Sequence, residues 1–198
     1  MRGIEHIPWL YDALMSVMDV TGFRRWRRKL VGQLQTLALE VGCGTGRNLP
    51  LYPDHTQVVA IDPDLGALRR ARRRAPNALL VAARAEALPF PDQSFPVAVS
   101  GLVFCSVQDP DKGLSEIRRV LQPAGQLRMI EHVRHHHPAL ARMQDGVQPA
   151  WTWVTGGCHP NRDTEAAVER AGFAIDPEDR VAKGVMRRFS ARIPQGKR

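Results

Sequence analysis

Long apolar runs are missing from this 198-residue sequence, and its start does not look like a leader. No stretch of about 18 apolar residues could span a bilayer as a helix, and no charged-then-apolar signal pattern opens the chain. Cysteine is scarce: Cys43, Cys105 and Cys158 lie far apart, without the C-x-x-C spacing that is typical of zinc clusters. These absences predict a cytoplasmic protein with neither a disulfide framework nor a metal site.

Lysine is also scarce. Arginine supplies nearly all of the 28 basic residues that give the chain its formal charge of +8. Two basic clusters stand out, RRWRRK at 24–29 and RRARRR at 69–74. Solvated helix faces are the ordinary explanation of such clusters. The alternative is weak peripheral contact with an anionic surface, either membrane headgroups or nucleic-acid phosphates, and Trp26 favours lipid. The remaining composition, 43% hydrophobic and 24% charged, is that of one globular domain.

Residues 37–64 have the pattern of half a nucleotide-binding α/β unit. In order they give a buried strand (37–41), a glycine turn (42–46), a helix (46–52), a β-branched strand (58–61) and an acid, Asp62. Glycines let a ligand approach the backbone closely, and the unpaired amides at a helix start are donors for it. Asp62 lies twenty residues after Gly42, where a carboxylate can accept both hydroxyls of a ribose.

The spacing of the glycines separates two kinds of nucleotide site. A dinucleotide site requires G-x-G-x-x-G, and Arg47 stands where its third glycine would be. The observed E-x-G-x-G-x-G, from Glu40 to Gly46, resembles the first motif of class I S-adenosylmethionine-dependent methyltransferases. In that family the first acid helps to hold the amino-acid end of the cofactor, and the acid after the second strand holds the ribose. The resemblance implies cofactor contacts from the following residues: Glu40, Gly42, Cys43, Gly44, Asp62 and Pro63.

The segment RAEALPFPDQSF at 84–95 strengthens this resemblance, because it is similar to the family's A-E-x-L-P-F-x-D-x-S-F. It implies that Ala85 and Glu86 lie beside the adenine. Relatives often carry an aspartate before Ala-Glu, and Arg84 here removes that side-chain contact to the adenine amino group while leaving the backbone contact of Ala85. Pro96 departs from the family's usual aspartate and predicts a fourth strand delayed to 97–100.

The whole pattern predicts an α/β fold: a Rossmann-like, doubly wound, mostly parallel sheet of seven strands with helices on both faces and an N-terminal helical cap. We expect a single domain, 1–198, with a cap (1–35), a cofactor-binding core (36–133) and a part with substrate-side helices and a closing hairpin (134–198). In the cap, Gly22 should break the helix, and Asp12, Ser16 and Asp19 lie on the face opposite the apolar stripe. That stripe consists of Leu10, Leu14, Val17 and Met18. A helix is predicted from Asp64, with Leu65, Leu68 and Ala71 facing inward. Further helices are predicted after Asp109, at 138–154 and up to Gly172. Further strands are predicted at 79–82, 126–133, 173–176 and 185–193.

The C-terminal part narrows the resemblance to the small thiol S-methyltransferases of the methyltransferase-like group. The shared segments are I-E-H-V at 130–133, P-A-W at 149–151, G-C-H at 157–159 and E-R-A-G-F at 169–173. G-T-G-x-N at 44–48 and C-S-V at 105–107 are shared too. Relatives in that group carry an apolar N-terminal anchor, which this sequence does not show.

Methyl transfer from a sulfonium is an in-line displacement in which the protein mainly positions two reactants. The acceptor should lie over the ends of the fourth and fifth strands, at 101–106 and 131–136. There His132 is the candidate base, although a histidine that simply forms a hydrogen bond at a strand end is the more ordinary explanation. The resemblance adds Leu102 and, from a Tyr-Asp pair common in such caps, Tyr11 as cofactor contacts, although a plain packing role explains Tyr11 at least as well. The triple histidine at 135–137 is predicted to be an exposed loop.

An Asn/Asp-Pro-Pro-Tyr-like motif, usual in methylases of nucleic-acid amino groups, is missing at 101–105. A nucleic-acid acceptor is therefore disfavoured, and a small-molecule acceptor (a thiol, an amine or a lipid or quinone) is predicted. The alternative is a non-catalytic protein of the same fold that binds S-adenosylmethionine. A nicotinamide-dependent oxidoreductase is disfavoured by Arg47. The oligomeric state stays open.

Overall fold

A computed structural model describes residues 7–194, apart from the side chains of Pro8, Tyr11, Leu14 and Thr21. The strands are β1 (Ala38–Val41), β2 (Val58–Asp62), β3 (Leu79–Ala82), β4 (Phe95–Gly101), β5 (Leu121–His132), β6 (Ala174–Ile175), β7 (Val181–Lys183) and β8 (Met186–Arg192). The helices are α1 (Pro8–Met18), α2 (Arg24–Val31), α3 (Leu65–Arg74), α4 (Pro110–Val120), α5 (Pro138–Thr155) and α6 (Thr164–Arg170).

One sheet runs through the described residues in the order β3-β2-β1-β4-β5-β8-β6, with β7 also paired to β8. Strands β1 to β5 are parallel, and β8 is antiparallel to β5. The predicted doubly wound, mostly parallel fold is confirmed. The sheet has eight strands rather than seven. The additional strand, β7, is three residues long and exposed throughout, so it carries no hydrophobic alternation by which the sequence could reveal it.

Helices cover both faces of the sheet, as predicted. Leu39 and Val41 of β1 belong to the hydrophobic cluster that contains α4 and α6 residues, whereas Ala38 belongs to the cluster with α2 and α3. This alternation within a completely buried strand places the carboxyl ends of β1, β2 and β4 between two layers of helices. Ligands of open α/β sheets bind at that edge.

The helix expected directly after the glycine turn is reduced to one 3-10 turn, Leu49–Leu51. Tyr52 precedes Pro53 and is extended, with φ −67° and ψ 145°. A residue before proline is disfavoured in helical conformation, so the helix cannot continue. The glycine turn is followed by a tight connection and not by the long helix of the usual unit.

Pro96 does not delay β4, which begins at Phe95. Phe95 pairs with Leu121 while Val97 pairs with Gln126, so the register shifts across the proline. Such an irregularity tolerates a residue without an amide hydrogen. Strand β5 likewise starts at Leu121, five residues earlier than predicted at 126.

The cap is oriented differently from the prediction. Asp12 and Met15 are buried, whereas Val17 of the expected apolar stripe is 65% exposed. The polar side of α1 therefore faces the protein. Gly22 breaks the cap with a φ of +112°, as expected. In α3, Leu68 and Ala71 are buried, but Leu65 is 58% exposed and does not face inward. Within the described chain, no helix combines the length and apolarity needed to cross a membrane.

Candidate active site

A cavity of about 610 Å³ opens at the carboxyl ends of the central strands. The predicted site residues among those that line it are Gly42, Cys43, Gly44, Asp62, Pro63, Ala85, Glu86 and Leu102. A more open depression of about 920 Å³ lies by Asp92, Arg118 and Pro123, where β4 and β5 begin. Ligands of doubly wound sheets bind at the other edge, so the 610 Å³ cavity is the candidate active site.

Gly44 and Gly46 give the glycine turn its shape. Both have a positive φ, +54° and +80°, which is a backbone conformation that residues other than glycine rarely adopt. A Cβ on Gly46 would come within 2.8 Å of the Ala71 Cα, so the turn packs directly on α3. A Cβ on Gly44 would meet nothing within 4 Å. The free space beside Gly44, which lines the cavity, can accommodate a ligand at the backbone.

Asp62 ends β2 inside the cavity and organises the turn. Its Oδ2 accepts a hydrogen bond from the Gly44 amide at 2.8 Å, and its Oδ1 accepts one from the Asp64 amide at 2.9 Å. Burial raises the pKa of Asp62, and these two hydrogen bonds oppose the rise. Each carboxylate oxygen has a second lone pair, so the group can also accept from a ligand diol.

Glu40 lies beneath the turn and does not line the cavity. It is 1% exposed, and its Oε1 accepts a hydrogen bond from Asn48 Nδ2 at 3.0 Å. Burial raises the pKa of Glu40 to about 7, against the influence of Tyr52, Asn48 and Arg27. Asn48 Oδ1 in turn accepts from Arg27 Nη1 at 2.8 Å. Asn48 and Arg27 both line the cavity, so Glu40 reaches the site through them.

The wall expected to hold the adenine is formed by 83–86 and by Leu102. Leu102 has a φ of +61°, a strained conformation for a leucine, and its amide donates to the Ile130 carbonyl at 2.7 Å. Glu86 Oε1 accepts from the Gln108 amide at 3.1 Å and thereby holds the loop before α4. Arg84 also lines the cavity, where relatives often have an acid.

The other wall comes from the loop after α5, through Gly156, Gly157, His159 and Arg162. The His159 amide donates to the Cys105 carbonyl at 2.7 Å. Arg162 Nη1 donates to the carbonyls of Phe104 and Val107, both at 2.6 Å. These bonds tie the loop after α5 to the loop after β4. His159 and Arg162 were not among the predicted site residues, although G-C-H at 157–159 was among the shared segments.

His132, the predicted base, does not line the cavity; the histidine that does so among the described residues is His159. His132 instead lies with Cys105 and Cys158, and the ligand atoms of the three are within 4.8 Å of one another. Cys105 and Cys158, which are far apart in sequence, are therefore brought together in the fold. Tyr11 belongs to α1, but its side chain lies outside the described part of the chain.

S-adenosylmethionine fits the donor set of this cavity. The open space at Gly44 permits close approach to the backbone, Asp62 presents a carboxylate, and Ala85 and Leu102 offer apolar surface. When bound, this cofactor supplies an activated methyl group on a sulfonium.

The Methyltransferase domain family matches residues 39–129. The thiol S-methyltransferase TMT1B of Homo sapiens is 33% identical over 183 residues, which cover 83% of this chain and 75% of that protein. The demethylmenaquinone methyltransferase of Renibacterium salmoninarum is 36% identical over 126 residues, 61% of this chain and 53% of that protein.

Among solved structures, an S-adenosylmethionine-dependent methyltransferase from Methanosarcina mazei is similar with a TM-score of 0.64 at 24% identity, covering 81% of this chain and 93% of that one. One from Aquifex aeolicus has a TM-score of 0.62 at 19% identity, covering 86% and 89%. At these identities the structures show the fold alone. Together with the family match and the similarity to TMT1B, they show that the chain belongs to the class I S-adenosylmethionine-dependent methyltransferases.

Proposed function

We propose that this methyltransferase transfers the methyl group of S-adenosylmethionine to a small thiol. The observation that carries the proposal is the similarity to thiol S-methyltransferases, which extends over 183 residues and so reaches beyond the cofactor half of the chain. A small-molecule acceptor as such follows from the family; the choice of a thiol is the proposal.

The geometry supports a thiol because a thiol needs little chemical help. Its pKa, about 8.5, is only slightly above neutral pH, so loss of one proton creates the nucleophile. Arg162 lines the cavity, and its positive charge favours a thiolate over a thiol. His159, with Nδ1 at 2.7 Å from the Gly157 carbonyl, is held in one orientation and can take up the proton.

The step is balanced without any other reactant. The thiolate sulfur forms a bond to the methyl carbon, the bond from that carbon to the sulfonium breaks, and a thioether and S-adenosylhomocysteine result. The residues of this chain position the acceptor, exclude water and accept the thiol proton.

The test is methyl transfer from labelled S-adenosylmethionine to a panel of small thiols, quinols and amines. We expect methylated thiols and little product from the other classes. Transfer to quinols alone would contradict the thiol assignment and favour the chemistry named for the menaquinone relatives. Binding of S-adenosylhomocysteine without transfer to any acceptor would favour the non-catalytic alternative.

A weak peripheral contact with anionic membrane is a second part of the proposal. Along α5, exposed apolar side chains recur at helical spacing on one face: Leu140, Met143, Val147, Trp151 and Val154. Such a stripe on a chain of net charge +8 is typical of a helix that lies on a lipid surface. Sedimentation with anionic vesicles across a salt series tests it, and absent or salt-insensitive binding would contradict it. The cytoplasmic location stays a prediction.

A further inference from the structure

Three different segments bring together Cys105, His132 and Cys158, next to the wall of the cavity that the loop after α5 forms. Cys105 lies in the loop after β4, His132 ends β5, and Cys158 follows α5. Their candidate ligand atoms, two sulfurs and an imidazole nitrogen, all lie within 4.8 Å of one another. We propose that these three residues form a binding site for a soft divalent cation, and that Zn²⁺ is the cation that occupies it in the cell.

The separations agree with tetrahedral coordination. Zinc–sulfur bonds of about 2.3 Å and zinc–nitrogen bonds of about 2.0 Å place ligand atoms roughly 3.5–3.8 Å apart. Donor atoms that already lie within 4.8 Å of one another need movements of about an ångström at most to reach this arrangement. Two thiolates and an imidazole form a donor set that zinc prefers, and a three-residue set leaves one coordination position for water or a ligand.

The histidine favours a metal over a disulfide. His132 Nδ1 is buried and has no hydrogen-bond partner among the described residues. A buried imidazole nitrogen without a partner costs folding free energy. Coordination of the ring to a metal gives the imidazole a partner, whereas a disulfide between the cysteines would leave it without one. Both cysteines are buried and free.

Hydrogen bonds hold the three segments in place before any metal binds. The His159 amide, next to Cys158, donates to the Cys105 carbonyl at 2.7 Å. Thr152 Oγ1 donates to the Cys158 carbonyl at 2.8 Å. The amide of Phe104, next to Cys105, donates at 3.1 Å to Oε1 of Glu131, which adjoins His132. A site held in this way loses little conformational entropy on binding.

Zn²⁺ binding converts the two thiols to thiolates and releases the protons that they carried to solvent. The bound cation would join the loop after β4 to the loop after α5 and so rigidify the acceptor side of the cavity.

The experiment measures zinc by mass spectrometry in the purified protein, followed by removal with a chelator and titration with Zn²⁺ against a chromophoric chelator. We expect one zinc per chain. Cys105→Ser and Cys158→Ser should each weaken zinc affinity at least tenfold. Cys43→Ser is the matched control, because Cys43 is buried but outside the cluster, and it should keep one zinc per chain.

Cobalt keeps the test independent of whether the variants fold. Co²⁺ added to the metal-free wild-type protein should give a thiolate-to-metal charge-transfer band in the near ultraviolet, which binding at histidines 135–137 cannot produce. Absence of this band would overturn the proposal. So would unchanged zinc affinity in a Cys105→Ser/Cys158→Ser double variant, or a Cys105–Cys158 disulfide in freshly purified, metal-free protein.

Discussion

Gly44 and Gly46 allow a matched pair of alanine substitutions in the glycine turn. Both have positive φ, so alanine at either position costs about 1–2 kcal/mol of folding stability. Gly46→Ala also forces its Cβ against the backbone of α3, and we expect it to cost roughly 1–3 kcal/mol more. Gly44→Ala meets only the space beside the cavity, so its effect should fall on cofactor binding. Urea unfolding and calorimetry with S-adenosylhomocysteine separate the two, and equal losses in both measurements would contradict this assignment.

Asp62 is the residue on which cofactor affinity should depend most. We expect Asp62→Ala to weaken binding of S-adenosylhomocysteine at least tenfold, because the variant loses the acceptor for the ribose and the bond that holds the Gly44 amide. Calorimetry measures the affinity. Glu178→Ala, an exposed acid elsewhere in the chain, is the control and should bind normally. Unchanged affinity in Asp62→Ala would remove Asp62 from the site.

Glu40 should make stability depend on pH in a defined direction. Burial raises its pKa from 4.5 to about 7, so between these values the folded state binds more protons than the unfolded state. The free energy of unfolding therefore falls as pH rises through this window. The groups that face Glu40 are Tyr52, Cys43 and Arg27. We expect Glu40→Gln to remove up to about 3 kcal/mol of this fall, at about 1.4 kcal/mol per unit of pKa.

Urea unfolding at pH 5 and pH 8 measures this change, with Glu178→Gln as the control for an exposed glutamate. A steeper fall with pH in the Glu40 variant than in the wild-type protein would contradict the assignment. The same carboxylate illustrates what a motif conceals. The sequence indicated contact with the cofactor, whereas the structure places Glu40 one residue away from the cavity, behind Asn48.

At the scale of elements, the cap is attached to the glycine turn by charge. Arg47, which occupies the position of the third glycine in a dinucleotide motif, donates from Nε to Asp12 Oδ1 at 3.2 Å and from Nη1 to Asp19. Arg74 of α3 lies 2.9 Å from the Asp12 carboxylate. Burial raises the pKa of Asp12, but hydrogen bonds from Arg74 and Thr45 and the charges of the two arginines outweigh it and lower the pKa overall. The polar side of α1 is therefore the docking face of the cap.

Removal of this attachment should loosen the cap without unfolding the sheet. We expect Arg47→Met to cost roughly 1–3 kcal/mol, because it leaves buried acceptors on α1 without one of their donors. Hydrogen exchange should accelerate in α1 and much less in β1 and β4. Arg73→Met, on the exposed side of α3, is the control and should leave both unchanged. Equal acceleration throughout the chain would instead indicate global destabilisation.

The sequence predicts some elements of the fold correctly and others wrongly, and β3, α3 and the cap show why. The sequence predicted β3 at 79–82 with its observed limits, since its β-branched and apolar run lies between turn residues. Asp64 caps α3 as expected by accepting from the Gly66 amide. The face of α1 was predicted wrongly, because hydrophobic periodicity assumes a polar face toward water. Arg47 and Arg74, which come from other segments, pair with that polar face instead, and a single sequence does not show which distant side chains meet.

At the scale of the whole molecule, the two sides of the cavity differ in how they are encoded. The cofactor side uses residues between Gly42 and Leu102 that lie in recognisable segments, and the sequence identified most of them. The acceptor side is assembled from the loops after β4 and α5, whose meeting depends on long-range hydrogen bonds such as that from Arg162 to Phe104. For that reason His159, Arg162 and the cluster around His132 could be found only in the fold.

Because residues from Arg27 to Arg162 line one cavity, cofactor binding should stabilise the fold as a unit. A ligand that binds only the folded state at 100 times its Kd adds about 2.7 kcal/mol of stability. For a chain of this size, we expect S-adenosylhomocysteine to raise the Tm by roughly 5–10 °C at that concentration. Differential scanning fluorimetry measures the shift, and Asp62→Ala should reduce it at the same ligand concentration. NADH is the control ligand and should produce no shift, because Arg47 replaces the third glycine of a dinucleotide site. A larger shift with NADH than with S-adenosylhomocysteine would contradict the assignment of the cofactor.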